Sequence, residues 1–383
     1  MRLSLVSAAL VAALVGFGST IALVLAAAAA VGASPAQTAS WVLAVCLAKA
    51  VGSAFLGWYS RVPVVLAWST PGAALIAAST GISINQAVAA FLVAGGLTAL
   101  TGAIKPLGKL VAMIPDGIAA GMLAGVLLPF VLRLMPAMQG SPAIVLPVVL
   151  VFAMVRLWNP SFAVLAALGL GLFLGLAGGH FPDAPFALPT AVFIAPEWNL
   201  SVMLGLGLPI YLVTMAAQNL PGFATLRAAG FEPPVRPALV VTGGLSAISA
   251  LFGAHPVNMA AITAAICLGD DVHPDRSQRW KVSLAYGAIW LALGLFSPLV
   301  ILLIGALPAE LVTAIVALAL FGPLTGALAG AFAHPSQRFA AAVTLVVTAS
   351  GVTFFGIGAA FWGLLTGIII QLLEHGSVRL KAR

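Results

Sequence analysis

Ionised side chains are scarce in this sequence. Of its 383 residues only 7% are Asp, Glu, Lys or Arg, against about 25% in a soluble domain, and a water-facing surface cannot be built from so few. A soluble enzyme is therefore excluded. Cysteine is nearly absent as well. Cys46 and Cys267 lie inside apolar runs, where small buried hydrophobes belong, and two thiols so far apart make no metal site by themselves. No metal and no cofactor is expected. Long polar stretches are missing too, which leaves no room for a large domain outside a membrane.

What fills the chain instead is apolar. Hydrophobic residues make up 62%, 40 glycines come on top, and the mean hydropathy is +1.17. A helix that crosses a bilayer takes about 20 apolar residues, so the length allows at most roughly 14 to 16 of them. This describes an all-α polytopic membrane protein. The formal charge of +7 and pI near 10.0 do not point to nucleic acid, because the basic residues are spread thinly between apolar segments, as in cytoplasmic loops. The apolar run from Leu3 to Val31 behind Arg2 is about twice the usual signal-peptide core of 7 to 15 residues and reads as an uncleaved first span.

Proline, glycine and charge divide the chain into fourteen candidate spans: 4–31, 37–58, 63–79, 84–103, 110–133, 141–157 and 161–178, then 200–226, 237–251, 254–268, 281–304, 309–331, 338–350 and 356–373. With the N-terminus inside, Arg2, Arg61, Lys105, Lys109, Arg156, Arg227, Arg236, Arg276, Arg279, Lys281, Arg338, Arg379, Lys381 and Arg383 are all cytoplasmic. Arg133 falls outside and Lys49 within a span. The longest external loop, His180 to Asn199, holds Asp183 and Glu197 but no base. Both termini are thus expected in the cytoplasm of a cell whose plasma (inner) membrane holds the protein.

Fourteen divides into seven plus seven, and an odd-numbered repeat must insert upside down. Residues 1–199 and 200–383 are the expected repeats. Ile114-Pro115-Asp116 opens the fifth span and Leu307-Pro308-Ala309-Glu310 the twelfth; each runs into a glycine ladder, Gly117, Gly121, Gly125 in one and Gly322, Gly326, Gly330 in the other. Close helix packing alone accounts for such ladders, but they recur at matching places.

The third and tenth spans are the odd pair. Trp68-Ser69-Thr70-Pro71-Gly72 interrupts the third and Gly253-Ala254-His255-Pro256-Val257-Asn258 opens the tenth. Proline in a first turn, preceded by residues in extended geometry, marks a helix start. Each segment is expected to be a short strand followed by a half-helix starting near the membrane centre, where non-helical backbone survives only under protein cover or along a cavity. Broken segments at corresponding places in two halves point to a transporter's substrate site. Two helix N-termini facing each other across the midplane suit an anion.

Around the breaks, Trp68, Phe17, Phe252 and Tyr211 either hold a flat apolar body or simply pack. Histidine is the side chain whose ordinary range lies near neutral pH, which makes His255 the candidate proton-linked group, with a neutral cap as its other reading. Gln218 and Asn219 are adjacent amides that orient a substrate or bridge helices. Lys49 is a counter-charge or a structural, snorkelling lysine. Asp116 and Glu310 are ordinary helix caps in the first instance and proton carriers in the second. Composition and spacing give an anion with an apolar body, and no more.

Trp68-Ser69-Thr70-Pro71-Gly72, Gln218-Asn219-Leu220-Pro221-Gly222-Phe223 and Gly253-Ala254-His255-Pro256-Val257-Asn258 together resemble the BenE-type benzoate:proton symporters, over essentially the full length. That family is similar to the uracil-permease-like seven-plus-seven inverted-repeat transporters. The resemblance implies a core of residues 1–105 plus 200–305 and a gate of 106–199 plus 306–375. It implies a substrate contact from Ser19 in Phe17-Gly18-Ser19-Thr20, and puts Gln218 where uracil carriers have an acidic residue. An amide carries no proton, which argues against a nucleobase bound in the same way.

The expected substrate site is Ser19, Trp68, Ser69, Thr70, Gly72, Tyr211, Gln218, Asn219, His255, Val257 and Asn258, with His255, Asp116 and Glu310 as proton candidates. The expected activity is import of benzoate or a close aromatic carboxylate with a proton, by alternating access. A homodimer is compatible with this. The alternatives are an anion exchanger or channel, or a nucleobase-type carrier, on the same fold. From another class, a prenyl-transfer enzyme would need magnesium-binding Asp clusters; Asp270-Asp271-Val272-His273-Pro274-Asp275 has its third Asp one residue too far and no second cluster.

Overall fold

Helix starts in this protein follow capping chemistry written in the sequence. Ser34 and Ser83 each accept the backbone N–H three residues on, while Gln37 and Gln86 reach back to the serine N–H, two reciprocal boxes that satisfy otherwise unpaired helix donors. The computed structural model describes residues 2–104, 106, 115–179, 187–260 and 262–381, with the side chains of 161, 262 and 375–381 apart. Lys105, Lys109, Ile114, His180, Asp183 and Arg383, and the side chains of Arg379 and Lys381, lie outside the described residues.

The first seven segments are α1 (Leu3–Gly18) with α2 (Ile21–Ala30), α3 (Pro35–Ser60), β1 (Leu66–Trp68) with α4 (Thr70–Ala77), α5 (Ile84–Ala103), α6 (Asp116–Leu132) with the short α7 (Leu134–Gly140), α8 (Pro142–Trp158) and α9 (Pro160–Ala177). The second seven are α10 (Leu200–Ala228), α11 (Val235–Ala250), β2 (Val257–Met259) with α12 (Ile262–Ile266), α13 (Lys281–Leu295) with α14 (Ser297–Gly305), α15 (Ala309–Ala331), α16 (Arg338–Ala349) and α17 (Ala359–Lys381). α13 and α14 meet at 52° beside Ser297-Pro298. α10 widens into π-turns at Met203–Gly207 and Met215–Asn219.

Helix partners repeat seven segments on. α5 packs on α11 as α13 packs on α3; α8 packs on α9 as α16 packs on α17; α6 packs on α16 as α15 packs on α8; α1 packs on α13 as α10 packs on α5. These pairings are what two inverted seven-segment repeats produce. Outward faces carry exposed leucine, valine and isoleucine, among them Leu14, Val51, Leu150 and Ile248, as lipid requires. Trp58, Tyr59 and Trp158 are exposed at the ends of α3 and α8, where amphipathic rings sit at a membrane interface.

The two breaks meet as an antiparallel strand pair, Leu66 opposite Met259, Ala67 opposite Asn258 and Trp68 opposite Val257, extended by Ser69 N–H to the Pro256 carbonyl (2.9 Å) and Ala260 N–H to the Val65 carbonyl (3.1 Å). The third segment breaks as expected, with Pro71 in the first turn of α4. The tenth also runs strand then half-helix as expected, but Pro256 precedes the strand and does not open the helix, which starts at Ile262. The sheet explains this, because residues 257–259 gain ladder partners on β1 that a helix starting at Pro256 would forfeit.

Both outer edges of this small sheet are buried, and side chains from four helices satisfy them. Ser53 Oγ accepts from Leu66 N–H (3.0 Å), and Tyr286 donates to the Leu66 carbonyl (2.9 Å). On β2, Ser246 Oγ accepts from Val257 N–H (2.9 Å) and Asn219 Oδ1 from Met259 N–H (2.9 Å). An unpaired buried N–H costs about 1–3 kcal/mol. Ser246→Ala is therefore expected to lower stability by about that much, read as a lower thermal midpoint in detergent; an unchanged midpoint would mean the strand edge finds another partner.

Candidate functional site

The strand crossing closes one end of a cavity of about 850 Å³, within the range of small-molecule sites. Ser19, Thr20, Lys49, Trp68, Thr70, Gln218, Thr263 and Tyr286 line the crossing side; Leu123 and Leu127 of α6, Phe152 of α8, Val164 of α9 and Leu318, Gly322 and Gly326 of α15 line the opposite wall. The cavity runs to Asp116, Arg156, Pro160 and Gly330, which chain direction places on the membrane side where α1 begins.

Trp68 is the hub. Its indole Nε1 donates to Thr20 Oγ1 (2.6 Å), which donates in turn to the Gly16 carbonyl (3.0 Å). Phe17 stands 5.7 Å away, and Trp290 meets it edge-on at 5.2 Å. Thr20 became available because α1 stops at Gly18 and α2 starts at Ile21, leaving Ser19 and Thr20 between them. Lys49 Nζ lies 2.9 Å from the Trp290 ring centroid and 4.4 Å from that of Trp68. Among the described residues the ion pair found is Arg279 with Asp270, so no described carboxylate is within pairing distance of Lys49.

At the start of α4, Ser69 Oγ accepts from Gly72 N–H (3.0 Å) and shares a 2.6 Å hydrogen bond with Thr214 Oγ1. This holds the helix end rigid and leaves Thr70 half-exposed on the cavity. The second π-turn of α10 sets Gln218 on the cavity and turns Asn219 inward, where its amide also donates to Met215 Sδ (3.3 Å). π-turns of this kind recur at functional sites.

Of the residues expected from sequence, Ser19, Trp68, Thr70, Gln218 and Asp116 line the cavity. Ser69, Gly72, Asn219, Val257 and Asn258 stand behind the lining as its scaffold. The Asn258 amide, oriented to satisfy its neighbours, accepts from Ser69 N–H (3.0 Å). His255 is fully buried and accepts from Trp41 Nε1 through Nδ1 (2.9 Å); it does not line the cavity. Tyr211 shares a 2.5 Å hydrogen bond with Thr101 away from it. Glu310 opens α15 beside Gly140, also away from it. Thr20, Thr263, Tyr286 and Trp290 were not among the site residues expected from sequence. Thr20 had a signal, being next to Ser19 in the first-span turn; Trp290 had none, because only packing of α13 on α3 brings it there.

The glycine ladders part company. Gly117, Gly121 and Gly125 press against α16 and the turn before it, whereas Gly322 and Gly326 of α15 face open cavity. The Asp-rich loop is also accounted for. Asp270 pairs with Arg279, and Asp275 accepts from Ser277 N–H (2.9 Å) and Oγ (2.7 Å). Those hydrogen bonds hold the exposed Asp275 carboxyl below its ordinary value. No His, Cys, Asp and Glu grouping that could hold a metal occurs among the described residues.

The family model of the benzoate membrane transport protein, BenE, matches residues 1–373. The chain belongs to the BenE family. It is 39% identical over 363 residues to the inner membrane protein YdcO of Escherichia coli K12, covering 94% of this chain and 93% of that one. It is 35% identical over 337 residues to the benzoate membrane transport protein of Acinetobacter baylyi, covering 87% and 86%. Among solved structures, the transmembrane domain of the cyanobacterial bicarbonate transporter BicA is similar with a TM-score of 0.58 at 14% identity over 98% of both chains. The SLC26A9 structure is similar with a TM-score of 0.61 at 13% identity over 96% of this chain and 64% of that one. These two carry the fold alone, and it is the seven-plus-seven inverted-repeat fold of membrane transporters. This BenE-family chain is a multi-pass membrane transporter and not an enzyme.

Proposed function

We propose that this transporter imports benzoate or a closely related aromatic carboxylate together with a proton across the inner membrane. The observation that carries the reading is the cavity at the strand crossing, which joins an aromatic wall at Trp68 to Thr70, Ser19, Gln218 and the Lys49 amine, which has no described carboxylate beside it. The ring packs on the aromatic wall, and the carboxylate accepts from the start of α4 and neighbouring hydroxyls. The relatives' names, one a benzoate transport protein and one an inner membrane protein, agree with substrate and location.

With both termini cytoplasmic, the cavity mouth at Asp116, Arg156 and Pro160 faces the cytoplasm, an inward-open state. Transport then moves residues 1–105 plus 200–305 as the core against residues 106–199 plus 306–375 as the gate, exposing the crossing to each side in turn.

One proton moving with one monoanion transfers no net charge. In proteoliposomes with independently set pH and potassium potential, benzoate is expected to accumulate about tenfold per pH unit and to ignore voltage. Counterflow without proton movement would favour an exchanger instead. Thr70→Val keeps shape and deletes the hydroxyl. A hydrogen bond to a charged group contributes about 1.5–3 kcal/mol, so benzoate affinity is expected to fall roughly 10- to 100-fold, measured by thermal stabilisation across a benzoate titration. Wild-type affinity in Thr70→Val would place the carboxylate elsewhere.

A further inference from the structure

We propose that the Lys49 amine takes up a proton as the substrate carboxylate arrives, forms the ion pair that holds it, and releases the proton when the carboxylate leaves. This inference rests on the transport reading and names the group that carries its proton.

Lys49 stands at the middle of α3, is 1% exposed and yet borders the cavity beside Trp68 and Thr70. Two indole faces lie against its ammonium position. Ring faces attract a cation but do not replace the hydration it gives up on burial, and a buried charge without a counter-ion is strongly disfavoured. Of the titratable neighbours, His255 keeps Nε2 buried without a hydrogen-bond partner, but it stands off the cavity. Cys46 sits one turn away on α3. Tyr286 of α13 donates to the Leu66 carbonyl. His255, 6.4 Å ring to ring from Trp68, uses Nδ1 to accept from Trp41 and does not reach the cavity. Across the cavity, Asp116 and Arg156 are exposed at its mouth. On α11, which also packs on α3, Arg236 is bonded to the Gly102 and Ala103 carbonyls. α14, α2 and β1 bring no titratable side chain.

The missing counter-ion is therefore the substrate. An empty site with a neutral amine and a loaded site with ammonium and carboxylate are both uncharged, so both forms can move through the membrane's low-dielectric interior. A protonated empty site carries a bare positive charge and is held back, which prevents proton leak. The proton balance is one H⁺ gained from solvent per carboxylate bound and one returned per carboxylate released, with no covalent step. The same geometry disfavours Asp116 as carrier, since its carboxylate repels the substrate anion.

Calorimetry of benzoate binding to the purified full-length protein at pH 8, in two buffers of different ionisation enthalpy, counts the protons. Wild type is expected to take up about one proton per benzoate. Lys49→Arg, with a permanent charge, is expected to bind benzoate with no proton uptake, and Lys49→Gln to bind at least tenfold more weakly with none. In liposomes under a one-unit pH gradient, Lys49→Arg is expected to equilibrate benzoate without the roughly tenfold accumulation of wild type. Binding to wild type without proton uptake, or wild-type proton uptake in either variant, overturns the assignment to Lys49 and leaves the transport reading standing. Failure of wild type to bind benzoate or any substituted benzoate overturns both.

Discussion

Gly326→Phe is expected to reduce benzoate uptake more than 100-fold in a protein that still folds. A Cβ at Gly326 meets no atom within 4 Å, and the residue lines the cavity on α15, so a phenyl group there projects into the space that the substrate must occupy or cross. The helix itself gains, because replacing a mid-helix glycine removes a penalty of about 0.5–1 kcal/mol. The thermal midpoint should therefore hold or rise while transport fails. Gly326→Ala, too small to obstruct, is the control and should transport nearly as wild type. Normal uptake by Gly326→Phe would show that substrate passes by another route.

Gly243→Val is expected to do the reverse, destroying the fold along with transport. At Gly243 the backbone of α11 approaches that of α5 so closely that a Cβ would lie 2.6 Å from the Gly95 carbonyl oxygen and collide with Ala99. Backbone cannot yield as a flexible side chain can, so the helices must separate, and overpacking of this kind costs about 1–3 kcal/mol or more, here with the added loss of the α5 to α11 contact. Its neighbour Gly244 meets nothing within 4 Å, and Gly244→Val should be tolerated. A size-exclusion profile after graded heating separates the two; similar survival of both variants would mean that the close crossing is not needed.

The segments were legible because bilayer physics writes long apolar runs punctuated by proline, glycine and charge, and α3, α5 and α15 fall within a few residues of the expected 37–58, 84–103 and 309–331. The break at Pro71 was legible for the same reason that Ser69 caps Gly72: local chemistry decided it. The break at Pro256 was misplaced by several residues, because pairing with a strand nearly two hundred residues away overrode the local signal. Lys49 stood out as a charge within a span, but its partners are rings on β1 and α13 that only tertiary packing brings to it. The π-turn at Met215–Asn219 left no mark in composition. It shows itself only as the turn that sends Gln218 and Asn219 to different surroundings.

The paired strands also constrain how the protein is made. Leu66 leaves the ribosome long before Val257 and Met259 exist, so the first repeat cannot complete its own backbone bonding within lipid. Until its inverted twin is synthesised, that stretch must stay near water or under the cover of insertion machinery. The crossing is thus a late event of biogenesis.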